Sequence, residues 1–273
     1  NVHNGNVAWA DYDSDGDLDL AVSGENATVT AGEIAPVTEF YLNDPSGTLS
    51  LNETTSVLSG VPFDEYHSKI RGGDLAWGDY DQDGNVDLAI AGRSYYWDTV
   101  LRLYRNRPSG VLTNDETFNI ATTRRVASSL AWIDYDNDGD RDLIVWRGSW
   151  MGEPGRHANS LLQNTGRGRY EDVTEAAGLL SFHPTHSGAW ADFDNDGWTD
   201  LAVTNSEDDT IDILRNDATG TGLLVIDPVP LPVGEEPLGP GADLRPHGHA
   251  AEAQHIALRR INAPKKVADA QAA

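Results

Sequence analysis

Four copies of one short acidic pattern constrain this chain more than anything else in it. They read DYDSDGDLD at Asp11–Asp19, DYDQDGNVD at Asp79–Asp87, DYDNDGDRD at Asp134–Asp142 and DFDNDGWTD at Asp192–Asp200. Each sets carboxylates at positions 1, 3, 5 and 9 of a nine-residue loop, with Gly at position 6. Alternate residues of a tight turn can aim several carboxylates at one point, and a hard cation with six to eight oxygen ligands is what such a cage suits. The glycine is expected to make the sharp turn where a Cβ would clash. Position 7 is Asp17, Asn85, Asp140 and Trp198. Its side chain varies, so its backbone carbonyl is the expected ligand. Four loops with the same spacing and flanks are hard to reconcile with ordinary solvated acidic turns.

The flanks exclude an EF-hand, which needs a bidentate Glu at position 12 and a helix on each side. Position 12 here is Val22, Ile90, Val145 and Val203. The segment after each loop is strand-like: Leu18, Leu20 and Val22 share one face of a period-2 pattern, and Leu201 and Val203 repeat it. Trp9, Trp77, Trp132 and Trp190 each stand two residues before the first loop Asp, with small residues alternating around them. They recur with the scaffold, so they read as sheet-packing core rather than as ligand platforms. The unit is strand, cation loop, strand.

The repeat is longer than the loop. The first aspartates fall at 11, 79, 134 and 192, and each loop is followed by a second signature. It reads FYLNDPSG at Phe40–Gly47, LYRNRPSG at Leu103–Gly110, LLQNTGRG at Leu161–Gly168 and ILRNDATG at Ile213–Gly220. Asn and Gly mark the turn of another hairpin. One unit therefore offers about four short strands. An array of such units, none able to bury its faces alone, is a propeller or a stacked solenoid. The units are expected near 1–62, 63–122, 123–180 and 181–230.

AWADYDSDGDLDLAVSG with a distal LYRN-type strand resembles the FG-GAP/VCBS repeat of integrin-like β-propellers, most nearly its bacterial VCBS type. The resemblance covers about residues 1–230. It implies an all-β propeller of four-stranded blades, each carrying a calcium loop between adjacent strands, with about one Ca2+ per repeat and four in all. Carried over by position, the side-chain ligands are Asp11, Asp13, Asp15 and Asp19; Asp79, Asp81, Asp83 and Asp87; Asp134, Asp136, Asp138 and Asp142; and Asp192, Asp194, Asp196 and Asp200. Integrin-type propellers usually carry seven blades, and this chain shows four repeats. Completion by further repeats, by a partner chain, by self-association or as a small ring all remain open.

Composition fits a single large repeat domain. Hydrophobic residues make up 39 % of 273, and no run reaches the roughly 20 apolar residues of a membrane span. There is no cysteine, so no disulfide framework exists, and calcium loops are expected as the staples. The net charge is −25, with five, four, five and four aspartates in the loops out of 44 acidic residues. So acidic a surface disfavours nucleic acid and anionic membrane. Together with a start at Asn1, it leads to the expectation of a secreted, extracellular or periplasmic protein, processed or cut from a longer one.

Residues 231–273 break the pattern. A Pro/Gly-rich stretch reads as linker and Ala250–Ile261 as a short helix, with His247, His249 and His255 in a solvated tail. Catalytic signatures are missing: there is no G-x-S-x-G elbow, no H-E-x-x-H and no phosphate loop. His183, Thr185 and His186 form the densest polar group outside the loops, with His3 and His67 upstream of loops 1 and 2. Tyr95, Tyr96, Trp97, Trp146 and Trp150 read either as a platform for sugar rings or partner side chains or as packing between units. Two sequons stand at Asn26 and Asn52. The expected role is a binding, adhesion or assembly module for a protein or carbohydrate ligand. The rival reading is a propeller domain of a secreted enzyme or enzyme subunit acting on polysaccharide.

Overall fold

The computed structural model describes residues 2–26, 35–52, 58–59, 70–93, 99–107, 110–118, 129–147, 159–179, 188–205, 210–216 and 223–230. The 231–273 tail, the sequon residues 27–28 and 53–54, His67, His183, Thr185, His186, Tyr95, Tyr96, Trp97 and Trp150 lie outside them. The described residues form strands and turns, arranged as four consecutive sheets. The first holds β1 (Val2–Ala10), β2 (Asp19–Asn26), β3 (Ala35–Asn43) and β4 (Leu49–Leu51). The second holds β5 (Leu58–Ser59), β6 (Arg71–Gly78), β7 (Asp87–Arg93), β8 (Thr99–Arg105) and β9 (Leu112–Asn114). The third holds β10 (Ser129–Ile133), β11 (Asp142–Trp146), β12 (Ser160–Asn164) and β13 (Tyr170–Asp172). The fourth holds β14 (Gly188–Ala191), β15 (Asp200–Asn205), β16 (Thr210–Asn216) and β17 (Leu223–Pro230).

Each sheet is an antiparallel meander: the acidic loop closes its first hairpin, and the strand leading to the distal Asn pairs with the strand that follows it. The exception is β5, which adds to the second sheet by pairing parallel with β9. It comes from the stretch expected to belong to the first unit. Leu18, expected on the Leu20/Val22 face, instead sits in the turn before β2 and is exposed.

The middle strands lose their alternation because they are covered on both sides. β11 is buried along its whole length. Its even and odd residues enter different cores. Leu143 and Val145 pack with Ala89, Ala91 and Leu103 of the second sheet. Ile144, Trp146 and Leu161 pack with Leu201, Val203 and Leu214 of the fourth. Trp146 is thereby fixed as inter-sheet core, and its reading as a binding platform falls. A third core joins Tyr12, Ala21 and Phe40 to Leu88, Ile90 and Tyr104. The sheets are consecutive propeller blades. None of these cores joins the fourth blade to the first, so the described residues do not close a ring.

One set of polar and aromatic parts recurs between blades. Trp77 stacks on Tyr12 at 5.7 Å and 10°, and Trp132 on Tyr80 at 6.0 Å and 7°. The indole Nε1 atoms donate back to Ala8 O at 3.4 Å and Ala76 O at 3.1 Å. The distal asparagine of each following blade donates to the carbonyl of that same aromatic. Asn106 reaches Tyr12 O at 2.6 Å, Asn164 reaches Tyr80 O at 2.8 Å and Asn216 reaches Tyr135 O at 2.6 Å. Near the inner strands, buried Asp74 takes Asn6 Nδ2, Ser129 Oγ and the Leu130 amide, tying three blades together. Desolvation raises its carboxyl above the ordinary range, against the pull of these donors.

Candidate metal centres

The four acidic loops have one backbone path. Position 4 is left-handed in each, at φ 63° for Ser14, 58° for Gln82, 55° for Asn137 and 61° for Asn195. Position 6 follows at φ 98°, 92°, 91° and 93° in Gly16, Gly84, Gly139 and Gly197. A Cβ added at these glycines would meet nothing within 4 Å of the rest of the chain. The expected clash is therefore absent, and what demands glycine is the torsion itself.

The turn is held by its own carboxylates. Asp79 accepts from the Asp83 amide at 3.1 Å and the Gly84 amide at 3.0 Å, and Asp11 and Asp192 do the same in their loops. In loop 3, Asp134 accepts from the Gly139 amide at 3.2 Å. At position 5, Asp15, Asp83, Asp138 and Asp196 turn back to the amide of position 7, in Asp17, Asn85, Asp140 and Trp198.

Position 9 is the buried anchor. Asp19, Asp87, Asp142 and Asp200 are at most 2 % exposed. Each carboxylate bridges two backbone amides, one at loop position 2 and one at the distal asparagine. For Asp142 these are Tyr135 at 3.0 Å and Asn164 at 2.7 Å. Desolvation outweighs these bonds and raises all four carboxyls, pushing Asp87 and Asp142 up to about 7.

Carboxylates converge within 4.8 Å of one another as Asp79, Asp81 and Asp87; Asp134, Asp136 and Asp142; and Asp192, Asp194 and Asp200. In the first loop the converging set is Asp11, Asp13 and Asp15. Positions 1, 3 and 9 thus form the cluster in loops 2 to 4. The position-5 carboxylates, given equal standing by the spacing, do not join those three clusters. Like charges this close repel by about 4 kcal/mol per pair at 4 Å and an effective dielectric of 20. Several oxygens are also shielded without a hydrogen-bond partner: Asp13 Oδ1, Asp81 Oδ1 and Asp134 Oδ1. Crowded, all-oxygen, partly orphaned carboxylates are a donor set that fits a hard divalent cation.

Sequence reasoning missed the partner of position 3. Asp81 pairs with Arg105 Nε at 2.9 Å, Asp194 with Arg215 Nε at 3.0 Å, and Asp136 accepts from Gln163 Nε2 at 2.6 Å. These residues all stand just before the distal asparagine, where the first blade has Leu42. Sequence reasoning also missed the aromatic at position 2, Tyr12, Tyr80, Tyr135 and Phe193. Its recurrence in all four loops was the available signal. The loops are laced as well: Gln82 Nε2 donates to Gly139 O at 2.8 Å and Asp140 Oδ1 at 2.7 Å, and Asn137 Nδ2 donates to Gly197 O at 2.8 Å.

The family model for the FG-GAP-like repeat matches residues 79–145, and that for the FG-GAP repeat matches residues 185–226. Two stretches of the chain are FG-GAP repeats. The first match runs from the opening Asp of loop 2 to the strand beyond loop 3, and the second contains loop 4. The first blade lies outside both, yet its loop shares their backbone path and their buried position-9 anchor. No curated protein matches the chain.

Proposed function

We propose that this chain is an extracellular binding and assembly module whose loops each hold one calcium ion in a structural role. The observation that carries the reading is the converging carboxylate set of each loop, with buried oxygens lacking a hydrogen-bond partner. Asp79, Asp81 and Asp87, with the Asn85 carbonyl, would hold the ion in the second blade; Asp134, Asp136 and Asp142 in the third; and Asp192, Asp194 and Asp200 in the fourth. Asp11, Asp13, Asp15 and Asp19 would do so in the first. The bound ion supplies positive charge where carboxylates otherwise repel, and it locks the hairpin that carries the inter-blade aromatic. Its low-affinity, oxygen-only chemistry suits calcium levels outside cells. Among the described residues no helix is long and apolar enough to cross a membrane.

A binding role rests on how the repeated positions are used. Trp, loop aspartates, position-2 aromatic and distal Asn are committed to fold and metal, so partner contacts fall to the variable segments between blades. A protein or carbohydrate partner suits that arrangement. The test is elemental analysis of the purified protein with thermal melting in calcium and in excess chelator. About four calcium ions per chain and a large chelator-induced drop in Tm are expected. An unchanged melting curve would remove the structural role of the metal.

A further inference from the structure

The four acidic loops share a backbone path but not a charge. The partner of the position-3 carboxylate, just before the distal asparagine, changes from blade to blade. Asp81 Oδ2 meets Arg105 Nε at 2.9 Å, and Asp194 Oδ2 meets Arg215 Nε at 3.0 Å. Asp136 Oδ2 accepts instead from the neutral Gln163 amide at 2.6 Å. The first blade has Leu42 at that place, a side chain with nothing to donate to Asp13. A second position varies in step with this one. Loops 1 and 3 carry a fifth acid at position 7, Asp17 and Asp140, whereas loops 2 and 4 have Asn85 and Trp198. The two loops with fewer acids are therefore the two that face an arginine. Loop 3 also holds Arg141 at position 8, but that residue is exposed and pairs with no loop carboxylate among the described residues, so solvent screens it.

Ligand charge count, together with rigidity, is what tunes an all-oxygen calcium site. A guanidinium paired with one oxygen draws charge from the carboxylate and repels an arriving dication. It also relieves the crowding of aspartates in the metal-free loop, so calcium has less repulsion to remove there. The two arginines differ in how much charge they bring. Arg105 is also held by Asp115 Oδ2 at 2.9 Å, which offsets part of its charge. Arg215 makes no second ion pair among the described residues and lies over the Phe193 ring at 5.6 Å from its centroid. Loop 4 therefore bears the fuller effect.

We propose that the loops form two classes of calcium site that alternate along the chain. Loops 1 and 3 bind tightly, and loops 2 and 4 bind about tenfold more weakly because Arg105 and Arg215 act as built-in counter-charges. This rests on the reading of the loops as calcium sites and adds an order of filling to it. At intermediate calcium the first and third blades are loaded while the second and fourth are not, so the chain responds to calcium in two steps.

Withdrawing calcium from the whole chain with a competing chelator of known affinity, and counting the ions released, tests this. Two ions in a weak class and two in a tight class are expected. Arg215→Gln installs the residue type that the third blade uses, and it should move one ion from the weak class to the tight one. Gln163→Arg should do the reverse at loop 3. Asp194→Ala should delete a weak ion and Asp136→Ala a tight one, which assigns the classes even if an arginine variant fails to fold. Four ions of one affinity in the parent, a folded Arg215→Gln variant that still releases two weak ions, or an Asp194→Ala variant that loses a tight one would each overturn the proposal. A chain that holds no calcium at all would remove the calcium reading of the loops as well, whereas four equal sites would leave that reading standing.

Discussion

Asp87 and Asp142 carry the clearest residue-scale consequence. Burial pushes both carboxyls up to about 7, while an unfolded-chain aspartate titrates near 4. Between those values the metal-free fold holds protons that the unfolded chain has released, so its stability falls as pH rises through that window. In excess chelator, Tm should therefore be higher at pH 5 than at pH 8. Asp142→Asn should flatten that slope, which separates this effect from general repulsion among the acidic residues. A chelated Tm that does not move with pH would show that these carboxyls titrate normally. The position-6 glycines give a second test. Because nothing crowds Gly84 and only its φ of 92° forbids a side chain, Gly84→Ala should cost about 1–2 kcal/mol in urea unfolding. Gly84→Asn should cost less, since Asn tolerates the left-handed region better.

At the scale of the loop and its hairpins, the four centres are coupled unevenly. Gln82 pins the turn of loop 3 and Asn137 that of loop 4, whereas Ser14 makes no such bond to loop 2 among the described residues. Asp13→Ala should release about one calcium ion and leave the other sites unchanged. Gln82→Ala, which removes no ligand, should weaken binding at loop 3 as well as loosen loop 2. Calcium titration against a competing chelator distinguishes the two outcomes, and a Gln82→Ala curve identical to the parent's would show the lacing to be idle. Much of this element was legible beforehand. The spacing of acidic residues, the Trp two residues upstream and the distal Asn recur in each unit, and repetition exposes what periodicity in one short strand cannot. What the spacing could not show is which carboxylates converge. Asp83 and Asp81 look alike in the sequence, but Asp83 turns back to the Asn85 amide while Asp81 meets Arg105 across the hairpin. That choice depends on tertiary neighbours. The two-residue β5 was equally invisible, being too short to have a period.

For the molecule as a whole, stability is shared among blades and the interfaces between them, as in other quasi-one-dimensional arrays. The same tryptophan therefore has different worth at different places. Trp132 lies between the second and third blades, stacked on Tyr80 with its indole hydrogen bonded to Ala76 O. Tyr80 is itself a junction: its hydroxyl donates to Asp115 at 2.7 Å, Arg105 approaches its ring at 5.9 Å and Gly168 packs against its edge. Truncating Trp132 removes a large apolar contact, an aromatic stack and a hydrogen bond in the middle of the array. Trp132→Ala should cost about 2–4 kcal/mol and uncouple the first two blades from the last two, giving two unfolding transitions in place of one. Trp9, at the same position of its repeat but 52 % exposed, should cost under about 0.5 kcal/mol when changed to Ala. Urea unfolding followed by far-ultraviolet circular dichroism, at low concentration and in calcium, compares the two directly. Equal losses would mean that Trp9 is covered in solution rather than exposed.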